Sequence, residues 1–336
     1  MKKRLLGSAM MFMITAGAAC AQMSTPQTTP PQPAPHAASG PSVQERLGYP
    51  ANSRLLIIHA DDFGMSHSVN RATFEALENG WVTSASIMVP CPWFPEVVQW
   101  AKRHPDADLG IHMVLNSEWT PYRWGPLSPT STVPTLLDQH GYFPLLESDV
   151  PPKADLAQVE VEIRAQIEKA RAEGIKLSHL DTHMTTLTRS PALFEVYRRV
   201  GRAYGLPILL ERGEGTYRQA GQPLPPEALI DKVVSMDVGV PLKRDAWLDA
   251  SKRMLQPLGP GVYEFIVHPG YDDPEMQGAT FDHPNWGATW RQLDLETVKS
   301  KEFRDFLRDE KFIIVRWRDL ARALPNAQPA AATGGH

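Results

Sequence analysis

The run RLLIIHADDFG, from Arg54 to Gly64, decides how this chain reads. Leu55, Leu56, Ile57 and Ile58 are continuously apolar, and after His59 and Ala60 the run ends on the adjacent carboxylates Asp61 and Asp62. An apolar run bounded by a glycine turn predicts a strand buried on both faces, as in a parallel α/β sheet. Two acids at the end of such a strand are costly to bury without partners. A bound metal ion meets that need. So does the N-terminus of the next helix, which the same acids would cap.

Working outward, strand-like and helix-like runs alternate. Residues 68–79 carry Val69, Ala72, Ala76 and Leu77 at helical spacing, and Gly80 stops the run. Strands are predicted over 82–89, 108–115, 177–184, 207–210, 262–267 and 312–317, and helices over 94–103, 155–172, 192–204, 225–236, 244–255 and 293–308. The last strand leads into residues 319–324. Between 116 and 153 lies a long excursion rich in proline and aromatic residues. The series implies an α/β fold of about seven strands. With no linker to interrupt it, a single barrel fits better than a two-domain open sheet. No glycine-rich phosphate loop follows the first strand, which argues against a dinucleotide fold.

The chain of 336 residues is 42% hydrophobic and 21% charged, enough apolar material for a sizeable core. A net charge of -4 gives no sign of nucleic-acid binding or of attraction to an anionic membrane. Lys2, Lys3 and Arg4 precede a short apolar run, and Ala19-Cys20-Ala21 fits a cleavage site. Residues 1–21 therefore read as a signal peptide and the mature protein as exported, periplasmic or secreted. The alternative is a lipoprotein anchored through Cys20. No transmembrane segment is expected. Residues 22–45 form a Pro-rich linker, 46–325 the folded domain and 326–336 a loose tail. With Cys20 removed, Cys91 is the only cysteine; flanked by prolines, it reads as packing. Oligomeric state is open, and a homodimer is compatible with the chain.

In a barrel of this kind the active site lies where strands end. The polar residues at strand ends are His59, Asp61 and Asp62; His112; His179, Asp181 and His183; and His268. A single histidine in a strand is more often a hydrogen-bonded core residue than a ligand. Separate strand ends that all deliver Asp or His to one rim are harder to explain that way. Alternation puts His179, Asp181 and His183 on one face. Two histidines and a carboxylate make a divalent-metal site with open positions. Such an ion acidifies water and polarises a carbonyl, a spare carboxylate acts as base, and a further histidine acts as acid. That is a kit for metal-assisted hydrolysis of an amide or ester.

HADDFG, VTSASIMV, LGIHMVL, HLDTH, VHPGY and the closing LDLETVKSKEFRDFL with FIIVRW resemble the YdjC-type carbohydrate deacetylases, the family of chitooligosaccharide deacetylase. The resemblance runs from about Arg54 to Leu320 in consistent order. It implies a distorted (β/α) barrel that removes an N-acetyl group from an amino sugar with a divalent ion, Mg2+ or Zn2+. Carried over, Asp61 resembles the general base, and His268 the histidine that protonates the leaving amine or orients the intermediate. Asp62, His112 and His183 resemble the metal ligands, and His179 and Asp181 look like residues that hold His183. The chain also departs from the pattern. His59, which stands where the family often has Asn, would join or crowd the site beside His179 and Asp181, and Met184, Thr185 and Thr186 stand where further histidines are common. Relatives are largely cytoplasmic, whereas this chain reads as exported.

Trp119, Tyr122 and Trp124 in the excursion either stack on a sugar ring or pin the loop to the barrel. Arg212 is a further substrate-contact candidate. The expected partner is an acetylated saccharide. Rival readings are hydrolysis of another amide or ester, such as on a lipid-linked sugar, and a non-catalytic glycan-binding protein. Cleavage of a glycosidic bond is disfavoured, because neighbouring acids cannot flank a sugar on opposite faces.

Overall fold

The computed structural model describes residues 40–212 and 227–324. The signal segment 1–21 with Cys20, the linker up to residue 39 and the tail 326–336 lie outside the described residues. The elements are α1 (Val43–Arg46), β1 (Arg54–Phe63), α2 (His67–Glu78), β2 (Ser84–Ile87), α3 (Phe94–Arg103), β3 (Leu109–Met113), α4 (Leu156–Ala172), β4 (Leu177–Thr182), α5 (Pro191–Tyr204), β5 (Lys232–Val234), α6 (Arg244–Leu255), β6 (Gly261–Val267), α7 (Pro274–Ala279), α8 (Ala288–Lys299), α9 (Lys301–Asp309), β7 (Phe312–Ile314) and α10 (Trp317–Leu320). Among the described residues no helix is long and apolar enough to cross a membrane.

The strands form one seven-stranded sheet in the order β4-β3-β2-β1-β6-β5, with β7 also on β1. Every strand pair in it is parallel. β1 is the centre. β6 runs along Arg54 to Ala60, while β7 and β2 share the other edge, at Arg54–Leu56 and from His59 onward. The gap from β4 to β5 is spanned by isolated bridges, Leu180 to Ile208 and Glu211 to Ile230. The sheet thus curls around an interior, the α/β barrel architecture that the alternation implies.

Side chains of β1 alternate between two environments. Leu56, Ile58 and Ala60 join the large cluster under the surrounding helices. Leu55 and Ile57 face inward and pack with Val43, Ile230, Val262, Val315, Trp317 and Leu320. Period-two alternation then aims His59 and Asp61 into the same interior, nearer the C-terminal rim.

Several boundaries differ from the spacing-based expectation. The helix expected over 225–236 contains β5 instead: Lys232–Val234 pairs with β6, and a short apolar run does not distinguish strand from helix by periodicity. The strand expected over 207–210 is reduced to a bridge, where Leu209 N–H donates to Leu180 O at 2.7 Å and Pro207 has no N–H to give. The helix expected over 293–308 starts at Ala288 and breaks at Ser300, whose extended backbone (ψ 139) caps α9. The last strand stops at Ile314, because Trp317 begins α10. The fold also begins earlier than residue 46. Ser42 and Glu45 form a capping box, and Val43 is buried against β1.

Candidate active site

A regular strand would send Asp61 and Asp62 to opposite faces. Asp62 breaks the rule with a left-handed φ of 64°, and the β1–β2 register shifts between Ala60 and Phe63. This conformation costs a non-glycine residue roughly 1–3 kcal/mol, with Asp and Asn the least penalised. Its result is that both carboxylates reach His112: Asp61 Oδ1 lies 3.9 Å from Nδ1 and Asp62 Oδ1 3.5 Å from Nε2.

Three potential ligand atoms converge there. His112 Nε2 and His183 Nδ1 are 3.1 Å apart, and Asp62 Oδ1 is 3.5 and 3.4 Å from them. These edges match the spacing of neighbouring donors around one ion with bonds of about 2.0–2.2 Å. All three residues are buried, and Asp62 Oδ1 has no hydrogen-bond donor among the described residues. The outward atoms, by contrast, are occupied. His112 Nδ1 meets Asp181 Oδ1 at 2.6 Å, and His183 Nε2 meets Glu118 Oε2 at 2.9 Å. Each ring N–H thus goes to a carboxylate, which leaves the facing nitrogen as the donor to a metal. Arg291 donates to Asp62 Oδ2 at 2.7 Å. The residues fit a divalent cation with two nitrogens and one oxygen.

Electrostatics follow the same partition. Burial opposes ionisation of Asp62, yet the Arg291 guanidinium, with His183 and His268, holds it well below the usual carboxylate range. Burial would lower His183, but Glu118 and Asp62 outweigh it and raise the ring to about 10. His112 is raised by Asp181 and Asp61 against its own burial. In the protein alone these histidines hold protons that a cation would displace.

Asp61 stands beside this triangle. Its Oδ1 accepts from Ser86 Oγ at 3.1 Å, and its Oδ2 lies 3.7 Å from His268 Nε2. His268 follows β6, where its backbone N–H donates to Asp294 Oδ2 at 2.8 Å. Asp294 is fixed in turn by Trp247 Nε1 at 2.8 Å. A carboxylate and a histidine therefore share one side of the site, with the three ligand atoms on the other.

The family model described as YdjC-like protein matches residues 55–309. A carbohydrate deacetylase of Thermus thermophilus is 33% identical over 291 residues, 83% of this chain and 98% of that one. The chain belongs to the YdjC-like family. A carbohydrate deacetylase of Thermoanaerobacter pseudethanolicus is 27% identical over 271 residues, 79% of this chain and 98% of that one. Among solved structures, that of a candidate cellobiose-phosphate cleavage protein from Enterococcus faecalis superposes with a TM-score of 0.65. It is 25% identical and covers 80% of this chain and 99% of its own.

In this YdjC-like chain the structure reassigns several residues. Asp181 orients His112, not His183; β4 lies directly beside β3, and the two residues are in register. His179 touches neither ligand. Its ring stacks on Trp317 at 4.8 Å and packs on Gly110, where an added Cβ would come within 2.4 Å of it. His59 lies wholly buried beneath Asp61. Trp119 and Trp124 are buried, so their faces pin the excursion and offer no platform to a sugar. Tyr122 is half-buried, and its hydroxyl donates to the Met65 carbonyl. Arg212 lies 3.7 Å from Asp231, which accepts from Val262 N–H at the start of β6. That is the end of β6 opposite His268, so Arg212 is no substrate contact. Met184 and Thr185 adopt left-handed φ of 48° and 57°, turning the chain sharply after His183. Cys91 is buried, and burial pushes its thiol well up.

Sequence reasoning missed Glu118, Arg291, Asp294, Ser86 and Glu264. Glu118 sits in the excursion, and Arg291 and Asp294 lie mid-helix in α8, where charged residues are unremarkable. Glu264 was the one with a signal: an acid inside the apolar run of β6.

Proposed function

We propose that this YdjC-like chain is a carbohydrate deacetylase that hydrolyses the acetamido group of an amino sugar with the help of a divalent cation. One observation carries the reading: the convergence of Asp62 Oδ1, His112 Nε2 and His183 Nδ1, each ring held from behind by a carboxylate. The names of its relatives support an acetylated carbohydrate as substrate. Two imidazoles and one carboxylate suit zinc better than magnesium, which prefers an all-oxygen shell. A divalent ion at this triangle would polarise the acetyl carbonyl and acidify water.

The protein's own groups do the rest. Asp61 takes the proton from water as its oxygen bonds to the acetyl carbon. His268, 3.7 Å from Asp61 on the same side, gives a proton to the nitrogen as the C–N bond breaks. Acetate and a free amine leave. Asp294 fixes the backbone of His268, and Arg291 keeps Asp62 ionised. The N-terminal residues support export, so the substrate would be an extracytoplasmic glycan; cell fractionation of the full chain tests this.

The decisive assay is acetate release from N-acetylglucosamine oligomers, after chelation and after return of zinc, magnesium, manganese or cobalt. Release that needs the ion and disappears in His112→Ala supports the proposal. Zinc binding with no release on any acetylated saccharide would overturn it in favour of another amide or ester, or a binding role.

A further inference from the structure

His59 occupies a position that neither the metal triangle nor the acid–base pair explains. Its Nε2 lies at ion-pair distance, 3.2 Å, from both Asp61 Oδ1 and Asp181 Oδ2, the latter an oxygen with no hydrogen-bond partner among the described residues. Asp61 belongs to the acid–base side of the site, and Asp181 is the carboxylate behind His112. One nitrogen therefore stands between the two functional halves.

The ring has little freedom to be elsewhere. It is 0% exposed. Its Nδ1 meets Ser84 Oγ at 2.6 Å, with Glu264 Oε1 at 3.6 Å. Ser86 Oγ lies 3.1 Å from Nε2, and the edge of His179 packs against the ring at 5.0 Å. The contacts come from β2, β4 and β6, so a single side chain of β1 is clamped by three other strands. β1 places it two residues before Asp61, on the same interior face.

Without a donor between them, the Asp61 and Asp181 carboxylates would repel, and both lie close to His112. Burial would drive the proton off His59, but Glu264, Asp181 and Asp61 overcome it and raise the ring well above its ordinary value.

We propose that His59 is a positioning residue whose Nε2 edge, at ion-pair distance from both, ties the base Asp61 and the Asp181–His112 pair into one unit. The base's role rests on the deacetylase reading; the link from His59 through Asp181 to His112 does not. The unit runs from β1 through β4 to β3. Displacing the ring takes a shared neighbour from both carboxylates at once, leaving Asp61 to Ser86 and Asp181 to His112.

Zinc affinity, by competition with a chelating dye, and kcat for acetate release at saturating zinc separate the two arms. In His59→Leu, zinc binding is expected to weaken by about 10–100-fold, as for loss of groups that orient metal ligands. The kcat with the site filled is expected to fall as well. His59→Gln, which keeps an N–H donor in the gap, is expected to recover much of both losses. Should His59→Leu not fold, His59→Phe, closer in shape, takes its place. Unchanged zinc affinity overturns the proposal, and so does a loss in only one of the two readouts or a His59→Gln no better than His59→Leu. Wild-type protein that binds zinc yet releases no acetate sinks the deacetylase reading; the link to His112 is then judged on zinc affinity alone.

Discussion

The interior face of β1 has two halves with opposite chemistry. Leu55 and Ile57 meet Val262, Ile230 and Trp317 in a buried apolar cluster. His59 and Asp61, two and four residues further on, meet Ser84, Ser86, Asp181 and His268. The lower half is apolar burial that stabilises the fold and does no chemistry. The upper half gathers buried charges that stabilise nothing unless each finds a partner. At the border, Trp317 packs below and donates its indole N–H to Glu264 Oε1 at 2.7 Å. Glu264 Oε2 has no hydrogen-bond partner among the described residues, so the border between the structural start of the strand and its chemical end is only partly satisfied.

This contrast can be broken or sharpened by substitution. The largest effect is expected for Asp61→Asn, where acetate release should fall by about 10²–10⁴-fold, the usual contribution of a general base. Zinc affinity should change little. A fully active Asp61→Asn would remove the base from the upper half. In the lower half, Ile57→Ala should cost about 2–5 kcal/mol in denaturant unfolding through the cavity it opens. Zinc affinity of the folded variant should stay near wild type; a large drop would mean that the two halves are not separable.

Next comes Glu118→Gln, which weakens the hold on His183. Zinc affinity is expected to fall by about 10–100-fold with little change in unfolding free energy. Zinc affinity of the wild type should also rise with pH, because His112 and His183, the latter raised to about 10, must lose protons to bind. Affinity flat across pH 6 to 9 would contradict those proton-bearing rings.

The smallest effect concerns the border. Burial pushes Glu264 up to about 7 from 4.5, against the pull of His59 and Trp317. The folded state therefore binds more protons than the unfolded state between those values, and stability attributable to Glu264 falls as pH rises through them. Urea unfolding of Glu264→Gln should lack that component, so the variant gains on wild type from pH 4.5 to 7. Parallel curves would show that Glu264 is not held protonated.

Legibility differed sharply between elements. β1, α2, α3, α4 and α5 were readable from apolar spacing and capping residues. β5 was not, since three residues beside a long neighbour become a strand only through pairing with β6. The strand-end residues Asp61, Asp62, His112, His183 and His268 stood out because titratable groups are rare in buried strands. Trp119 and Trp124 left two readings open, a sugar platform or a loop anchor, because an aromatic in a loop looks the same whether its face is covered or bare; their burial decides for the anchor.

What the sequence by itself determined is local: the alternation of strand and helix, and the acids and histidines at strand ends, which depend on period and residue type. Only the tertiary structure decided which groups meet. Asp62 reaches the site because the β1–β2 register forces a left-handed residue. Asp181 serves His112 because β4 lies in register with β3. Glu118 and Arg291 arrive from segments 65 and 229 residues away in the chain. Pairings at such separation are set by the packing of the whole barrel, and no local pattern records them.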